Sequence, residues 1–364
     1  MSNTHPLPHR LSEIARYGSN PGGLKAWLFL PTIMPPNAPL VVALHGCTQN
    51  AEGYAAGSGW SQLAERQGFA VLYPEQQRSN NANLCYNWFE PGDFGRDLGE
   101  AASINQMVRH VIESQGVDPK RIYITGLSAG GAMANAMLAA YPELFAGGAI
   151  IGGLPFGIAS NVGEAFEQMQ GRNPQDAARL QSTLKGASAN SQAWPAISIW
   201  HGTHDQTVRP ANAEQIVVQW SGVHSLPSAP DENIESGKIS RRVWKSSEGR
   251  EVLEINLIRG MGHGVPLATT SVAAVGAPAP YMLETGISST LRIARSWGLA
   301  TDADVENGEA AQTAHDESNA RIVNSILERT LRRNQRPAYD GGKVNESRVA
   351  KVINDALRAA GLMR

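Results

Sequence analysis

Two cysteines in 364 residues, Cys47 and Cys85, are too few for a disulfide-dense scaffold or a cysteine-rich zinc or iron–sulfur site. At most one disulfide can form. Excess charge of one sign is lacking as well: 31 Lys and Arg face 33 Asp and Glu, a net charge of −2. No global field therefore draws the chain to nucleic acid or to an anionic membrane. Long apolar runs are missing too, since the most apolar stretch, Phe145 to Leu154, is short and broken by four glycines. A membrane span needs roughly 18 or more apolar residues. Met1 to Arg16 is polar and lacks the apolar core of a secretory signal, so the expectation is a cytoplasmic protein outside the membrane. No fixed-period repeat stands out.

What is present is the composition of a compact folded protein, with 42% hydrophobic and 18% charged residues. Apolar runs suited to buried strands alternate with helical segments through the first two thirds, a pattern that builds a mainly parallel, doubly wound sheet with helices on both faces. Strands are expected over 26–30, 40–44, 70–73, 122–125, 146–151, 196–200 and 252–258, and helices over 58–67, 97–114, 129–140, 211–220 and 289–297. Two stretches, near 154–194 and 224–242, do not fit the repeating unit and read as lid-like insertions. Residues 1–300 are thus expected to form one catalytic domain of the α/β class. Residues 301–364 read as a solvated linker and two helices, with apolar stripes at Ile322, Val323, Ile326 and Leu327 and at Val349, Val352, Ile353 and Leu357. The last helix would dock on the domain or on a second copy of the chain, giving a homo-oligomer.

Gly126-Leu127-Ser128-Ala129-Gly130 matches G-x-S-x-G, the nucleophile elbow, in which a serine occupies a sharp turn from strand to helix. The β-branched run Ile122 to Thr125 before it and the small-residue helix after it supply that setting. A serine hydroxyl needs a base, and the base needs an acid to fix its tautomer. In this fold the chain order is Ser, acid, His. His263, in a glycine-rich loop after the last expected strand, is the base, because His224 and His315 fall in polar segments away from any strand end. Asp205, just after the strand 196–200, is the acid. A zinc site on His201, His204 and Asp205 is the competing reading, but adjacent His204 and Asp205 cannot easily face one ion, and no H-E-x-x-H accompanies them. No metal or other cofactor is expected. The oxyanion donors are the backbone N–H of Ala129 and, from the loop after strand 40–44, that of Cys47. His45 is expected to buttress that loop, and Trp200 to be core.

Together, Leu44-His-Gly-Cys-Thr-Gln49, Tyr86-Asn-Trp-Phe89, the elbow, His201-Gly-Thr-His-Asp205 and Gly260-Met-Gly-His-Gly264 resemble the poly(3-hydroxybutyrate) depolymerase family of α/β-hydrolase esterases. Tyr281 to Trp297 is similar to its C-terminal segment. The resemblance implies serine-dependent hydrolysis of carboxylic esters, with hydroxybutyrate oligomers or other short-chain esters as substrates. Feruloyl or acetylxylan esterase activity is the alternative, and a non-catalytic binding protein on the same fold is the alternative of another class. It also implies that Cys47 pairs with Cys85, against the alternative of two reduced side chains, and that Trp88 contacts substrate. Similar family members are often extracellular.

Overall fold

The computed structural model describes residues 10–188 and 193–309. In chain order the elements are β1 (Ser12–Glu13), β2 (Lys25–Phe29), β3 (Leu40–Leu44), α1 (Ala51–Ser58), α2 (Trp60–Gln67), β4 (Ala70–Glu75), α3 (Pro91–Phe94), α4 (Gly99–Gln115), β5 (Ile122–Leu127), α5 (Ala129–Ala140) and β6 (Gly147–Ile151). There follow α6 (Val162–Met169), α7 (Ala177–Ala187), β7 (Ala196–Gly202), α8 (Ala211–Val223), β8 (Glu232–Ser236), β9 (Ile239–Lys245), β10 (Glu251–Ile258), β11 (Val265–Leu267), β12 (Met282–Glu284) and α9 (Ser289–Ser296). Ten strands form one sheet in the order β1-β2-β4-β3-β5-β6-β7-β10-β9-β8. The six from β4 to β10 are parallel, and the two strands beyond each end run antiparallel. Among the described residues no helix is long and apolar enough to cross a membrane.

Both faces of the parallel centre are covered, which is why its strands read as unbroken apolar runs. All five residues of β3 are buried, but Leu40, Val42 and Leu44 join one core cluster while Val41 and Ala43 join the other. Side chains alternate across a strand, so each face has its own helices. Ile104 and Met107 of α4, Met137 of α5 and Trp220 of α8 pack on the first face. Tyr54 of α1, Trp60 and Leu63 of α2, and Leu291 and Ile293 of α9 pack on the second. Helix α5 is buried at all twelve positions because small residues let it lie flat on the sheet.

Each strand and helix expected up to residue 300 is present within a few residues, and the doubly wound α/β architecture is as expected. The differences have local causes. The chain forms helix α1 ahead of the expected helix, and Gly59, with φ +80°, separates α1 from α2. Five of the eight residues of α1 are buried and most are small, so no polar stripe marks it as a helix. Of the two expected insertions, 154–194 contains α6 and α7, whereas 224–242 supplies β8 and the first half of β9 to the edge of the sheet. Strands β8 and β9 form a hairpin around Gly237, and β9 pairs with β10 along its length. The alternation is hidden because β8 is an edge strand exposed at four of its five positions. The solvated linker expected from residue 301 also starts differently: residues 302–309 are helical, Val305 is 9% exposed, and Glu309 pairs with Arg292 at 2.7 Å. The two apolar stripes of the C-terminal region lie outside the described residues.

The segment after α9 is held by stacked rings. Trp297 lies between Trp60 and Tyr123, with centroids 5.6 and 4.8 Å away and planes within 18° and 11° of parallel. Such contacts add about 0.5–1.5 kcal/mol per pair to ordinary burial. Trp297→Ala is expected to lower the stability of the domain by about 2–4 kcal/mol, read as a lower urea midpoint with unchanged slope.

Candidate active site

The site stands at the carboxyl edge of the parallel strands, and the turn at Ser128 sets its geometry. Ser128 has φ 59° and ψ −119°, a conformation rare for a residue with a side chain, between β5 and α5. The turn is possible because the neighbouring backbones come very close. A Cβ on Gly126 would lie 2.3 Å from the Gly130 carbonyl oxygen, and one on Gly130 would lie 2.4 Å from that of His45. Both positions of the motif thus require glycine. Ser128 is 9% exposed and borders a cavity of about 400 Å³.

His263 borders the same cavity, in the loop between β10 and β11. Its Nδ1 lies 2.6 Å from Oδ2 of Asp205, which follows β7. A carboxylate only accepts, so Nδ1 carries the hydrogen and Nε2 is left with its lone pair. The other carboxylate oxygen, Oδ1, accepts the backbone N–H groups of Thr207 and Val208, both at 2.9 Å. Burial alone would raise the Asp205 carboxyl, but the hydrogen bonds from His263 and Val208 and the charge of His263 outweigh it and hold the group below the usual carboxylate range. The structure records no hydrogen bond between Ser128 Oγ and His263, a contact that commonly closes only when substrate is bound.

Two backbone donors flank Ser128. The N–H of Ala129, at the first position of α5, has no intrahelical acceptor. The N–H of Cys47 lies in a turn where Gly46 N donates to Gln49 Oε1, Thr48 N donates to Asn83 O and Gln49 N donates to Gly46 O, which leaves Cys47 N without an acceptor among the described residues. Thr48, at φ 64°, makes the reversal. His45 accepts Gln76 N–H on Nε2 and donates from Nδ1 to the Gly46 carbonyl, so it holds the loop from behind, and burial pushes its pKa down.

Cys47 is joined to Cys85, closing a loop of 38 residues, worth about 4 kcal/mol in the chain-entropy description. The bond ties the segment carrying Trp88 to the segment carrying Cys47 N. Trp88 is 6% exposed, meets Phe89 edge to face at 5.4 Å and forms part of the cavity wall, so it belongs to both core and pocket. The same segment hangs on a buried carboxylate. Glu100 of α4 accepts Asn87 N–H at 2.8 Å and the Gln76 side-chain amide at 2.5 Å. Burial raises its pKa to about 8.

Sequence reasoning missed several walls of the cavity. Val162, Phe166 and Met169 come from α6, Asn81 and Asn83 from the loop before Cys85, and Tyr281 stands edge-on to His263 at 6.1 Å. None sits in a motif, and exposed apolar residues on α6 were the only available signal. Gly152 was missed as well. It follows β6 at φ +53°, and a Cβ there would lie 3.2 Å from Cε1 and 3.3 Å from Nδ1 of His263. His201 and His204 do not act together, since His201 is buried and His204 is exposed. Among the described residues no group of three His, Cys, Asp or Glu side chains is placed to hold a metal.

A parallel sheet covered on both faces, with a serine elbow at its carboxyl edge opposite a linked Asp–His pair, defines the chain as an α/β-hydrolase. The chain belongs to the esterase PHB depolymerase family, whose sequence model matches residues 25–231, and it is a carboxylic ester hydrolase. It is 43% identical over 293 residues to the poly(3-hydroxyalkanoate) depolymerase C of Paucimonas lemoignei, covering 80% of this chain and 70% of that protein. It is 30% identical over 281 residues to the acetylxylan esterase A of Aspergillus oryzae, covering 72% of this chain and 86% of that one. Among solved structures it resembles the acetyl xylan esterase from Aspergillus awamori, with TM-score 0.68 and 25% identity over 80% of this chain and 99% of that chain.

Two predictions follow from the geometry. Gly152→Ala is expected to reduce kcat on a small ester by about ten- to a hundredfold, because the new methyl group displaces the His263 ring, while stability falls by only about 1 kcal/mol. Parallel kinetics and urea unfolding check both effects. For Glu100, the folded pKa lies above the unfolded one, so the folded state holds the proton more tightly and its contribution declines as pH rises from about 4.5 to about 8. Glu100→Gln, which stays neutral, is expected to remove that loss. Urea midpoints of mutant and wild type should diverge in the mutant's favour between about pH 4.5 and about pH 8.

Proposed function

We propose that the chain hydrolyses uncharged short-chain esters, with oligomers of 3-hydroxybutyrate as the leading substrates, through an acyl-enzyme on Ser128. The carrying observation is the wall of the cavity. Among the described residues, His263 and Tyr281 are the ionisable groups that border it, and Trp88, Phe89, Leu154, Met169 and Val208 make it largely apolar beside the serine. An acidic or basic substrate would leave its charge unpaired there, whereas a methyl-branched polyester segment carries none. The poly(3-hydroxyalkanoate) depolymerase relative supports the same choice.

In the proposed cycle His263 Nε2 takes the proton of Ser128 as Oγ bonds to the ester carbonyl carbon. The N–H groups of Cys47 and Ala129 meet the negative charge that develops on the carbonyl oxygen, a contribution of roughly 3–4 kcal/mol per donor. The C–O bond to the alcohol then breaks, and the alcohol leaves with the proton held on Nε2. Water, deprotonated by the same imidazole, attacks the acyl-enzyme and releases the acid and Ser128. Asp205 keeps the proton on Nδ1 and stabilises the imidazolium without itself becoming protonated. We further propose that this catalytic unit spans the chain to about residue 300, with α6 as the part of the first insertion that covers the site.

A second reading, an esterase for acetylated xylan, is favoured by the likeness to the Aspergillus awamori enzyme. Asn83 on the cavity wall offers a side-chain amide to a sugar hydroxyl. A panel of 3-hydroxybutyrate trimer, acetylated xylo-oligosaccharide and methyl ferulate separates the readings. The trimer is expected to have the highest kcat/KM, and a preference for the acetylated sugar would reverse the substrate assignment. Ser128→Ala is expected to lower kcat on p-nitrophenyl butyrate by at least about ten-thousandfold with the fold intact. A variant that kept the wild-type rate would refute the nucleophile.

A further inference from the structure

Asp205 carries two imidazoles, and the proposed cycle uses one. His263 Nδ1 lies 2.6 Å from Oδ2, and His201, in the last turn of β7, brings Nε2 to 3.4 Å from the same oxygen. His201 is 1% exposed, and its Nε2 lies 2.8 Å from the Val208 carbonyl oxygen. A carbonyl only accepts, so Nε2 carries a hydrogen. Nδ1 is buried without a partner, and a second proton there would have no acceptor. The ring is therefore neutral, and burial pushes His201 below the ordinary histidine range in spite of the neighbouring carboxylate.

We infer that His201 is a positioning residue for the acid: its Nε2–H, donated to Val208 O and held 3.4 Å from Asp205 Oδ2, fixes the 205–208 turn and sets a positive N–H dipole beside the oxygen that faces His263. The inference rests on the proposed roles of Ser128, Asp205 and His263. The turn is held from both sides, since Oδ1 accepts two N–H groups from Thr207 and Val208 while the Val208 carbonyl receives His201. With Oδ1 committed, only Oδ2 is free to meet His263. An added donor near Oδ2 spreads the carboxylate charge, so His201 limits how strongly Asp205 favours the imidazolium form of the base. The charged or titratable groups facing His201 are Asp205 and His263. Neighbouring strands add none: β10 places Leu257 opposite His201, and β6 ends at Ile151 opposite Trp200.

The test compares His201→Phe, which keeps a ring but no N–H, with His201→Gln, which keeps an amide donor. Using p-nitrophenyl butyrate, His201→Phe is expected to lower kcat about tenfold with KM within about twofold. The acidic limb of its kcat/KM profile should move up by about half a pH unit, because an undivided carboxylate charge favours the protonated base. His201→Gln should keep the wild-type limb and most of kcat. If the phenylalanine variant does not fold, His201→Asn, whose amide is too short to reach both oxygens, should show the same upward shift. An unmoved limb in the donor-less variant, or equal shifts with and without the donor, overturns the proposal, since a purely space-filling role would change stability alone. Labelling of wild-type Ser128 by a fluorophosphonate separates the levels. Labelled Ser128 with an unmoved limb defeats this inference only, whereas unlabelled Ser128 defeats it together with the catalytic reading beneath it.

Discussion

Gly126 and Gly130 let three backbones meet where no Cβ would fit, and the rest of the site is arranged around that contact. Leu44 of β3 lies in register with Gly126 of β5, so the loop after β3 and the turn after β5 leave the sheet at the same height. The carbonyl of His45 abuts Gly130, so the loop that carries Cys47 lies against the first turn of α5. The strained φ of Ser128 is held by these neighbours and by the bond from its N–H to the Ile151 carbonyl. Loss of either glycine would separate the serine from both donors.

Asp205 and His263 meet for a second geometric reason. Parallel strands all end on one edge, so loops from β7 and β10, adjacent in the sheet, emerge side by side although Asp205 and His263 are 58 residues apart. The Asp–His pair then needs only short loops. Its environment is mixed, with burial opposing the carboxylate charge and backbone N–H groups restoring it. Gly152 at the end of β6 leaves space for the imidazole, and His201 fills the other flank of the acid. The antiparallel pairs at the sheet's two ends broaden the fold and contribute nothing to this edge.

The covering parts follow another logic. The segment from Gln76 to Phe89 has few apolar anchors beyond Tyr86 and Trp88, and it is ordered by the disulfide and by the buried Glu100, whose acceptors hold a backbone N–H and a side-chain amide. Helix α6 supplies the opposite wall with exposed Val162 and Phe166. A largely apolar cavity results. Its walls come from segments that the parallel core does not constrain.

The sequence by itself determined the parallel core and the identity of the elbow. Buried strands announce themselves as apolar runs, and an elbow is a local event whose glycines lie four residues apart in the chain. It also pointed to Asp205 and His263, because strand ends can be read from the runs that precede them. Other features were hidden for stated reasons: α1 is buried on most sides and shows no stripe, and β8 is an exposed edge strand without an apolar face. Residues 302–309 are too charged to announce their docking. Only the tertiary structure decided that Gly152 backs the imidazole, that His201 shares the acid, and that Tyr281 and α6 close the cavity. Apart from the pair His201–Asp205, those contacts join residues far apart in sequence, and the chemistry of all of them depends on distance and burial, which no local pattern encodes.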